Sequence, residues 1–185
     1  MKEIRTIALA DQAAFKRFQD ILLAEKASGN TFVETQKVED FAAFVEQSRR
    51  FEAQTDRPDW SISTNYYYFL DGEIVARIVC RWQLEKGDLA TVGGHIGYVT
   101  RTDYRGQGIM TALLAFALEQ YQKRGIKRVL ITANKDNIAS RKTIEKAGGI
   151  LEDIIQVADD YPTKRMAGQA IARYWIDLGG RDSDG

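Results

Sequence analysis

Cysteine, histidine and proline are almost absent from this sequence, which contains one cysteine (Cys80), one histidine (His95) and 2 prolines among 185 residues. A lone cysteine cannot form an intrachain disulfide, and with a lone histidine it cannot supply the four ligands of a structural zinc site. We therefore predict a chain without a metal site. Cys80 falls on the apolar face of an alternating stretch, residues 73–82, and is expected to be buried.

The sequence also lacks net charge, since 26 lysines and arginines balance 26 aspartates and glutamates. A neutral chain has no broad positive field of the kind that binds nucleic acids and anionic membranes. No apolar run is long enough to span a bilayer, and the first residues, MKEIRTIALADQ, have charges where a signal peptide needs an apolar core. We expect a cytoplasmic protein that binds neither nucleic acid nor a membrane.

Hydrophobic residues make up 44% of the chain, which is enough for one packed domain over residues 1–185. The Asp71-Gly72 pair predicts a tight hairpin turn. Apolar spacing predicts helices after an Asp11 cap and over residues 38–53, 108–124 and 137–147, and strands over residues 2–9, 65–70, 73–82, 95–100, 128–133, 149–157 and 169–178. This mixture favours an α+β domain (mixed α/β) around one mostly antiparallel sheet.

The last predicted strand, residues 169–178, carries apolar side chains that include Trp175. An unpaired apolar strand at the edge of a sheet invites pairing with a second chain. We therefore expect a homodimer formed through this strand.

The segment from Tyr98 to Thr111, YVTRTDYRGQGIMT, places a strand, a glycine-containing turn and the start of a helix in direct succession. Gly106 and Gly108 allow the backbone to approach a ligand closely, and the first N–H groups of a helix have no partner within it. These groups and the positive end of the helix dipole favour an anion such as a pyrophosphate. The alternative is an ordinary glycine turn before a solvated helix start.

Two other phosphate-binding loops do not match this segment. The P-loop requires Gly-Lys-Ser/Thr, which does not occur in the chain. In the dinucleotide fingerprint Thr111 would replace the third glycine, and no acidic residue ends the next predicted strand, where Ala133 is followed by Asn134 and Lys135. A nucleotide-binding oxidoreductase is therefore a weak alternative.

The residues Arg105-Gly106-Gln107-Gly108-Ile109-Met110 resemble the acetyl-CoA loop of the GCN5-related N-acetyltransferases (GNAT), Arg/Gln-x-x-Gly-x-Gly/Ala, and depart from it at Met110. A second block resembles that family's Asn-x-x-Ser/Ala, helix, Gly-Phe pattern: Asn137-Ile138-Ala139-Ser140 followed by Lys146-Ala147-Gly148-Gly149. The resemblance covers residues 65–157. It implies a GNAT-like fold, in which a twisted sheet flanked by helices has strands that splay apart at the acetyl-CoA site.

The resemblance also implies which residues contact acetyl-CoA as co-substrate. The backbone of Tyr98, Val99 and Thr100 would run beside the pantetheine arm. Asn137 and Ser140 would face the cofactor from the following helix, and Arg141, Lys142 or Arg101 would meet the nucleotide phosphate unless these cations form a solvated surface. The pyrophosphate would be held by the backbone of Arg105, Gly106, Gln107, Gly108, Ile109, Met110 and Thr111.

The catalytic groups follow the family pattern less closely. The position of the family's tyrosine acid corresponds to Ile144, and that of its glutamate corresponds to Gly94. The candidates are then the Val99 N–H as donor to the oxyanion, His95 as base and Tyr98 as acid. His95 could equally order the strand backbone, and Tyr98 could simply pack.

The resemblance implies an N-acetyltransferase that moves the acetyl group of acetyl-CoA directly to a primary amine on a small molecule or peptide. The alternative is a protein of the same fold that binds acyl-CoA and has lost transfer chemistry, as Ile144, Gly94 and Met110 suggest. Five aromatic residues either line the acceptor pocket or pack in the core: Trp60, Tyr66, Tyr67, Tyr68 and Trp82.

Overall fold

The computed structural model describes residues 1–179, and the end of the predicted domain, residues 180–185, lies outside the described residues. Seven strands form one sheet in the order β1-β2-β3-β4-β5-β7-β6. The strands are β1 (Lys2–Arg5), β2 (Ser63–Leu70), β3 (Glu73–Arg81), β4 (Ile96–Thr100), β5 (Arg128–Asn134), β6 (Ile150–Gln156) and β7 (Ala170–Asp177), and the helices are α1 (Gln12–Ala27), α2 (Phe41–Arg50), α3 (Ile109–Lys123) and α4 (Ile138–Lys146). All strand pairs are antiparallel except β4 and β5. The predicted mixed, mostly antiparallel fold is confirmed.

The β2–β3 hairpin forms as predicted. Asp71 (φ 50°) and Gly72 (φ 82°) both have positive φ, as a tight two-residue turn requires, and Leu70 pairs with Glu73 across it. In β3 alternate side chains enter the core, so Cys80 is fully buried, as expected.

Helices cover both faces of the sheet. Helix α3 packs its buried side chains, Leu113, Leu114, Ala117 and Tyr121, in one core cluster with residues of β3, β5 and β7. Helices α1 and α2 contribute Phe15, Phe18, Leu22, Phe41 and Val45 to a second cluster with Tyr67, Phe69 and Val99. Strand β4 is thereby held between two packed layers, which positions the segment that follows it.

Strands β4 and β5 separate soon after they meet. They are parallel and share one paired position, Ile96 with Ile131, although β4 continues to Thr100 and β5 to Asn134. On its other side β4 stays paired with β3 from Ile96 to Thr100. Within residues 1–179, one edge of β4 is therefore free of strand partners over Gly97–Thr100, which confirms the splayed strands that the resemblance implies.

The first strand and first helix begin differently from the prediction. Strand β1 ends at Arg5, not at residue 9, because the Asp11 carboxylate accepts hydrogen bonds from the Arg5 guanidinium (2.8 and 2.9 Å) and the Ala8 N–H (2.8 Å) and folds the chain into a turn. Asp11 is therefore engaged with the preceding turn and does not cap α1 with its side chain. Helix α2 is shorter than residues 38–53 because Asp40 caps it, accepting from the Ala43 N–H.

The last strand is not an edge strand, and that part of the dimer prediction is wrong. Strand β7 pairs with β5 on one side and with β6 on the other, so its backbone groups are used within the chain. Its Trp175 donates an indole hydrogen bond to Glu152 of β6 (2.7 Å). In the part of the chain that the structure describes, the edge strands of the sheet are β1 and β6. No helix in residues 1–179 is both long and apolar enough to cross a membrane.

Candidate active site

The turn after β4 leads directly into α3. A short 3₁₀ turn, Thr102–Tyr104, is followed by Gly106 (φ 75°) and Gly108 (φ 76°), and Gly108 is the N-cap of α3. A Cβ at either glycine would meet no atom within 4 Å, so the turn is open to a ligand. The Gly108 carbonyl accepts the first hydrogen bond of the helix, from the Ala112 N–H. The preceding N–H groups, those of Ile109–Thr111, therefore have no partner within the helix.

Arg105 ties this turn to the rest of the fold. Its guanidinium pairs with the Glu25 carboxylate of α1 and donates to the Thr100 carbonyl (3.0 and 3.2 Å). The Arg105 side chain therefore holds the turn in place, and Arg105 is among the residues that line the adjacent cavity.

A cavity of about 660 Å³ lies beside this turn, between β4 and the start of α4. Apart from the three cations proposed for the nucleotide phosphate, all residues that the sequence predicted for the cofactor site line it except Gln107. The side-chain amide of Gln107 points to the Asp103 carbonyl (3.5 Å). The predicted residues brought together here are Tyr98, Val99, Thr100, Arg105, Gly106, Gly108, Ile109, Met110, Thr111, Asn137 and Ser140. The open glycine turn and the free N–H groups fit a pyrophosphate at one end of this cavity.

Of the three cations predicted for the nucleotide phosphate, Lys142 lines the cavity. Arg141 is turned toward the Tyr174 hydroxyl (2.9 Å) and the Lys135 carbonyl (3.0 Å), and the buried Arg101 is paired with carboxylates outside the cavity. The prediction is therefore wrong for Arg141 and Arg101. Lys146, one helical turn after Lys142, also lines the cavity, and the i, i+4 spacing of these two lysines is the signal that could have identified it.

The free edge of β4 presents a different backbone group from the one predicted. Val99 lies opposite Arg77 of β3, and the N–H of Arg101, two residues after Val99, donates to the Val75 carbonyl. In an antiparallel pair every second residue bonds to the partner strand, so Val99 and Arg101 direct their backbone groups to β3. The Val99 N–H therefore points to β3, and the Val99 oxyanion prediction is wrong. Tyr98 and Thr100 direct their backbone groups to the free edge, and the Thr100 carbonyl accordingly accepts from Arg105.

Tyr98 reaches across the cavity from β4 to α4. Its hydroxyl lies 2.8 Å from the Ser140 hydroxyl and donates to the Ser140 carbonyl (3.1 Å). Burial raises the pKa of Tyr98 to about 12, so the phenol keeps its proton at neutral pH. Asn137 holds the same turn of α4 in place, because its side chain accepts from the Ser140 N–H (3.3 Å).

His95 is not among the residues that line either the cofactor cavity or the other cavity that contains Tyr98. The residue is 4% exposed, its Nδ1 accepts a hydrogen bond from the Leu130 N–H (2.9 Å), and its ring packs edge-on against Tyr121. Burial, and next the charge of Arg81, lower the pKa of His95 to about 4, so the ring is neutral at pH 7. The placement contradicts His95 as the base and agrees with the alternative, a histidine that orders strand backbone.

A second cavity of about 760 Å³ meets the first at Tyr98, Asn137 and Ser140. The loop between α1 and α2 borders it through Glu34, β3 through Arg77 and Arg81, and the loop between β6 and β7 through Arg165. Sequence reasoning missed these four charged residues. The signal for two of them is the pair Arg77 and Arg81 on one face of a central strand.

The predicted aromatic residues do not form the wall of this second cavity. Tyr67, Tyr68 and Trp82 are buried in the core, and Tyr66 packs edge-on against Phe116. Trp60 borders a separate surface depression. Ile144, at the position of the family's tyrosine acid, is also fully buried.

The sequence model of the acetyltransferase (GNAT) family matches residues 32–149, a span that contains the glycine turn, the free edge of β4 and the start of α4. The chain belongs to this family. It is therefore a GNAT acyltransferase, and acetyl-CoA is its co-substrate. None of the curated proteins matches the sequence.

Solved GNAT structures share the fold. An acetyltransferase from Salmonella typhimurium that modifies the N-terminal serine of ribosomal protein L7/L12 has a TM-score of 0.67 and 20% identity, over 96% of this chain and 95% of its own. The ribosomal-protein-S18-alanine N-acetyltransferase of Escherichia coli has a TM-score of 0.58 and 15% identity, over 100% and 99%. A putative acetyltransferase from Salmonella typhimurium, solved with its cofactor acetyl-CoA, has a TM-score of 0.64 and 12% identity, over 100% and 98%.

Proposed function

We propose that the whole chain, residues 1–185, is one N-acetyltransferase domain that transfers the acetyl group of acetyl-CoA directly to a primary amine. The observation that carries this proposal is the meeting of two cavities at Tyr98, Asn137 and Ser140. One cavity has the glycine turn and the lysines that suit a phosphorylated cofactor. The other is bordered by charged side chains and leaves room for a polar acceptor. Two substrates can therefore occupy the site together.

The cofactor cavity offers a separate contact for each part of acetyl-CoA. The N–H groups of Ile109–Thr111 and the glycine turn bind the pyrophosphate, and Lys142 and Lys146 bind the nucleotide phosphate by charge. The Tyr98 carbonyl and the Thr100 N–H at the free edge of β4 provide hydrogen bonds to the pantetheine amides, as an added strand would.

Acetyl-CoA supplies an acetyl group activated as a thioester. The Tyr98 N–H faces the free edge of β4 and takes the role of oxyanion donor that the sequence assigned to Val99. The Tyr98 phenol is protonated and hydrogen-bonded to Ser140, so it can protonate the departing sulfur. A thiol has a pKa of about 8.5, so the leaving group needs modest assistance.

The acceptor is proposed to be an amine on a small molecule or a peptide. One structural neighbour modifies the N-terminal serine of L7/L12, and another is an S18-alanine N-acetyltransferase. Peptides that begin with serine or alanine are therefore suitable test substrates. Cytoplasmic location, homodimer formation, and the lack of nucleic-acid or membrane partners remain predictions.

The test begins with calorimetric titration of acetyl-CoA, with NAD as control ligand, followed by assay of CoA release with short peptides that begin with serine or alanine and with glycinamide. Saturable binding of acetyl-CoA alone, with CoA release that depends on an amine, supports the proposal. Binding without CoA release for any amine supports the alternative, a protein of this fold without transfer chemistry. Absence of acetyl-CoA binding contradicts both.

A further inference from the structure

One carboxylate of the second cavity lies against the strand that carries the proposed transfer site. Oxygen Oε2 of Glu34 is 3.6 Å from the point where a Cβ of Gly97 would be, and Arg81 Nη2 is 3.3 Å from the same point. Gly97 directly precedes Tyr98 on β4. The missing side chain at Gly97 thus leaves space in which a charged group from the α1–α2 loop reaches the backbone beside Tyr98.

The backbone of Glu34 is fixed, while its side chain remains accessible. Its carbonyl accepts a hydrogen bond from Arg77 of β3 (2.8 Å), which anchors this part of the loop to the sheet. Its carboxylate pairs with Arg165 of the β6–β7 loop at 3.0 Å, and the Glu34 side chain is 45% exposed. An ion pair as exposed as this contributes about 0–1 kcal/mol, so a substrate cation can displace Arg165.

The other acidic side chains at this cavity have different positions. The Asp40 carboxylate caps α2 through the Ala43 N–H. Glu39 pairs with Lys37 at the exposed side of the loop. Among residues 1–179, Glu34 is thus the acid at this cavity that the contacts place against β4.

We propose, on the basis of the proposed function, that Glu34 binds the acceptor amine and takes its proton. The ammonium displaces Arg165 from the carboxylate and gives Glu34 one proton, which passes to solvent. The amine lone pair then forms the C–N bond at the thioester carbonyl carbon and the C–S bond breaks. The sulfur gains a proton from Tyr98, and the second nitrogen proton passes through Glu34 and solvent to restore the Tyr98 phenol. The products are the amide, the CoA thiol and one released proton.

The test compares E34Q, R165Q and, as a matched control, E46Q on the exposed face of α2, using the peptide or glycinamide that the wild type acetylates. We expect E34Q to lower kcat by about 100-fold at pH 6.5, where an α-amine with a pKa of about 7.7–8.0 is mostly ammonium. The deficit should shrink toward pH 9, because the fraction of free amine grows. Affinity for acetyl-CoA should not change, and E46Q should keep kcat within about threefold of the wild type. R165Q should lower the KM of the amine, because the ammonium no longer has to displace Arg165 from Glu34.

A kcat of E34Q equal to that of the wild type, or a deficit that is the same at every pH, would overturn the proposal while leaving the proposed function intact. An equal loss of kcat in R165Q would also overturn it, because activity would then depend on the ion pair between the two loops and not on Glu34 as a base. If the wild type binds acetyl-CoA and acetylates no amine, the proposed function fails and the role of Glu34 fails with it.

Discussion

The substitution Gly108→Asp tests the phosphate site most directly. It adds a negative charge at the N-cap of α3, where the proposed pyrophosphate meets the unpaired N–H groups of Ile109–Thr111. Two like unit charges 4 Å apart repel by about 4 kcal/mol at an effective dielectric constant of 20 and by about 1 kcal/mol in bulk water. A Cβ at Gly108 would have no atom within 4 Å, so solvent screens the pair and an intermediate value of about 2 kcal/mol applies. Acetyl-CoA should therefore bind about 30-fold more weakly.

Backbone strain has to be separated from this charge effect. Gly108 has a φ of 76°, and a side chain at such a residue costs about 1–2 kcal/mol of stability. Gly125, just after the other end of α3, has a φ of 77° and equally open surroundings, so G125D imposes the same strain far from the proposed phosphates. Calorimetry of both variants, with thermal unfolding to verify folding, isolates the charge effect. If folded G108D binds acetyl-CoA as tightly as G125D does, the pyrophosphate does not lie at this turn.

Three further predictions concern single side chains. Glu25→Gln removes the ion pair that ties Arg105 to α1, so acetyl-CoA should bind about 3- to 10-fold more weakly by calorimetry, with little loss of thermal stability; unchanged affinity would contradict the tether. Tyr98→Phe should lower kcat by about 10- to 100-fold at constant acetyl-CoA affinity, and because burial raises the pKa of Tyr98 to about 12, the wild-type pH profile should show no loss of this acid below about pH 11. The pKa of His95 is about 4 in the folded state and 6.5 in the unfolded chain, so protonation favours unfolding. The free energy of unfolding should therefore be unaffected by His95 above pH 6.5 and should fall by up to about 3 kcal/mol as the pH is lowered to 4. Urea unfolding should show that decline in the wild type and a smaller one in H95Q, and identical pH dependence would refute the assignment.

Features encoded by neighbouring residues were predictable from the sequence. Asp71 and Gly72 adopt the positive φ of a tight turn, and both residue types favour it, so the hairpin was predictable from two adjacent residues. Gly106 and Gly108 likewise indicate a turn before a helix without any information from distant residues. Most of the residues that the sequence predicted for the cofactor site therefore line the cofactor cavity. The α1–α2 loop (Asn30, Phe32 and Val33) and Lys146 also line it and were not predicted.

Features that depend on distant pairing were not predictable. The direction of the Val99 N–H depends on which residue of β3 faces it, and composition does not encode that register. The burial of His95 depends on β5 and on Tyr121 of α3, more than 25 positions away. Glu34 lies in an irregular loop without periodicity, so only the folded arrangement brings its carboxylate to Gly97.

The placement of β7 between β5 and β6 has a consequence for the order of folding. Strand β6 is made before β7, yet among residues 1–179 it joins the sheet only through β7, so residues 150–156 have no strand partner until residues 170–177 have been synthesised. Ile150 is 75% exposed even in the finished fold, and an unpaired strand with such side chains is prone to aggregate. Truncation before Ala170 would therefore remove both β6 and β7 from the sheet, and a newly made chain remains prone to aggregation until β7 docks.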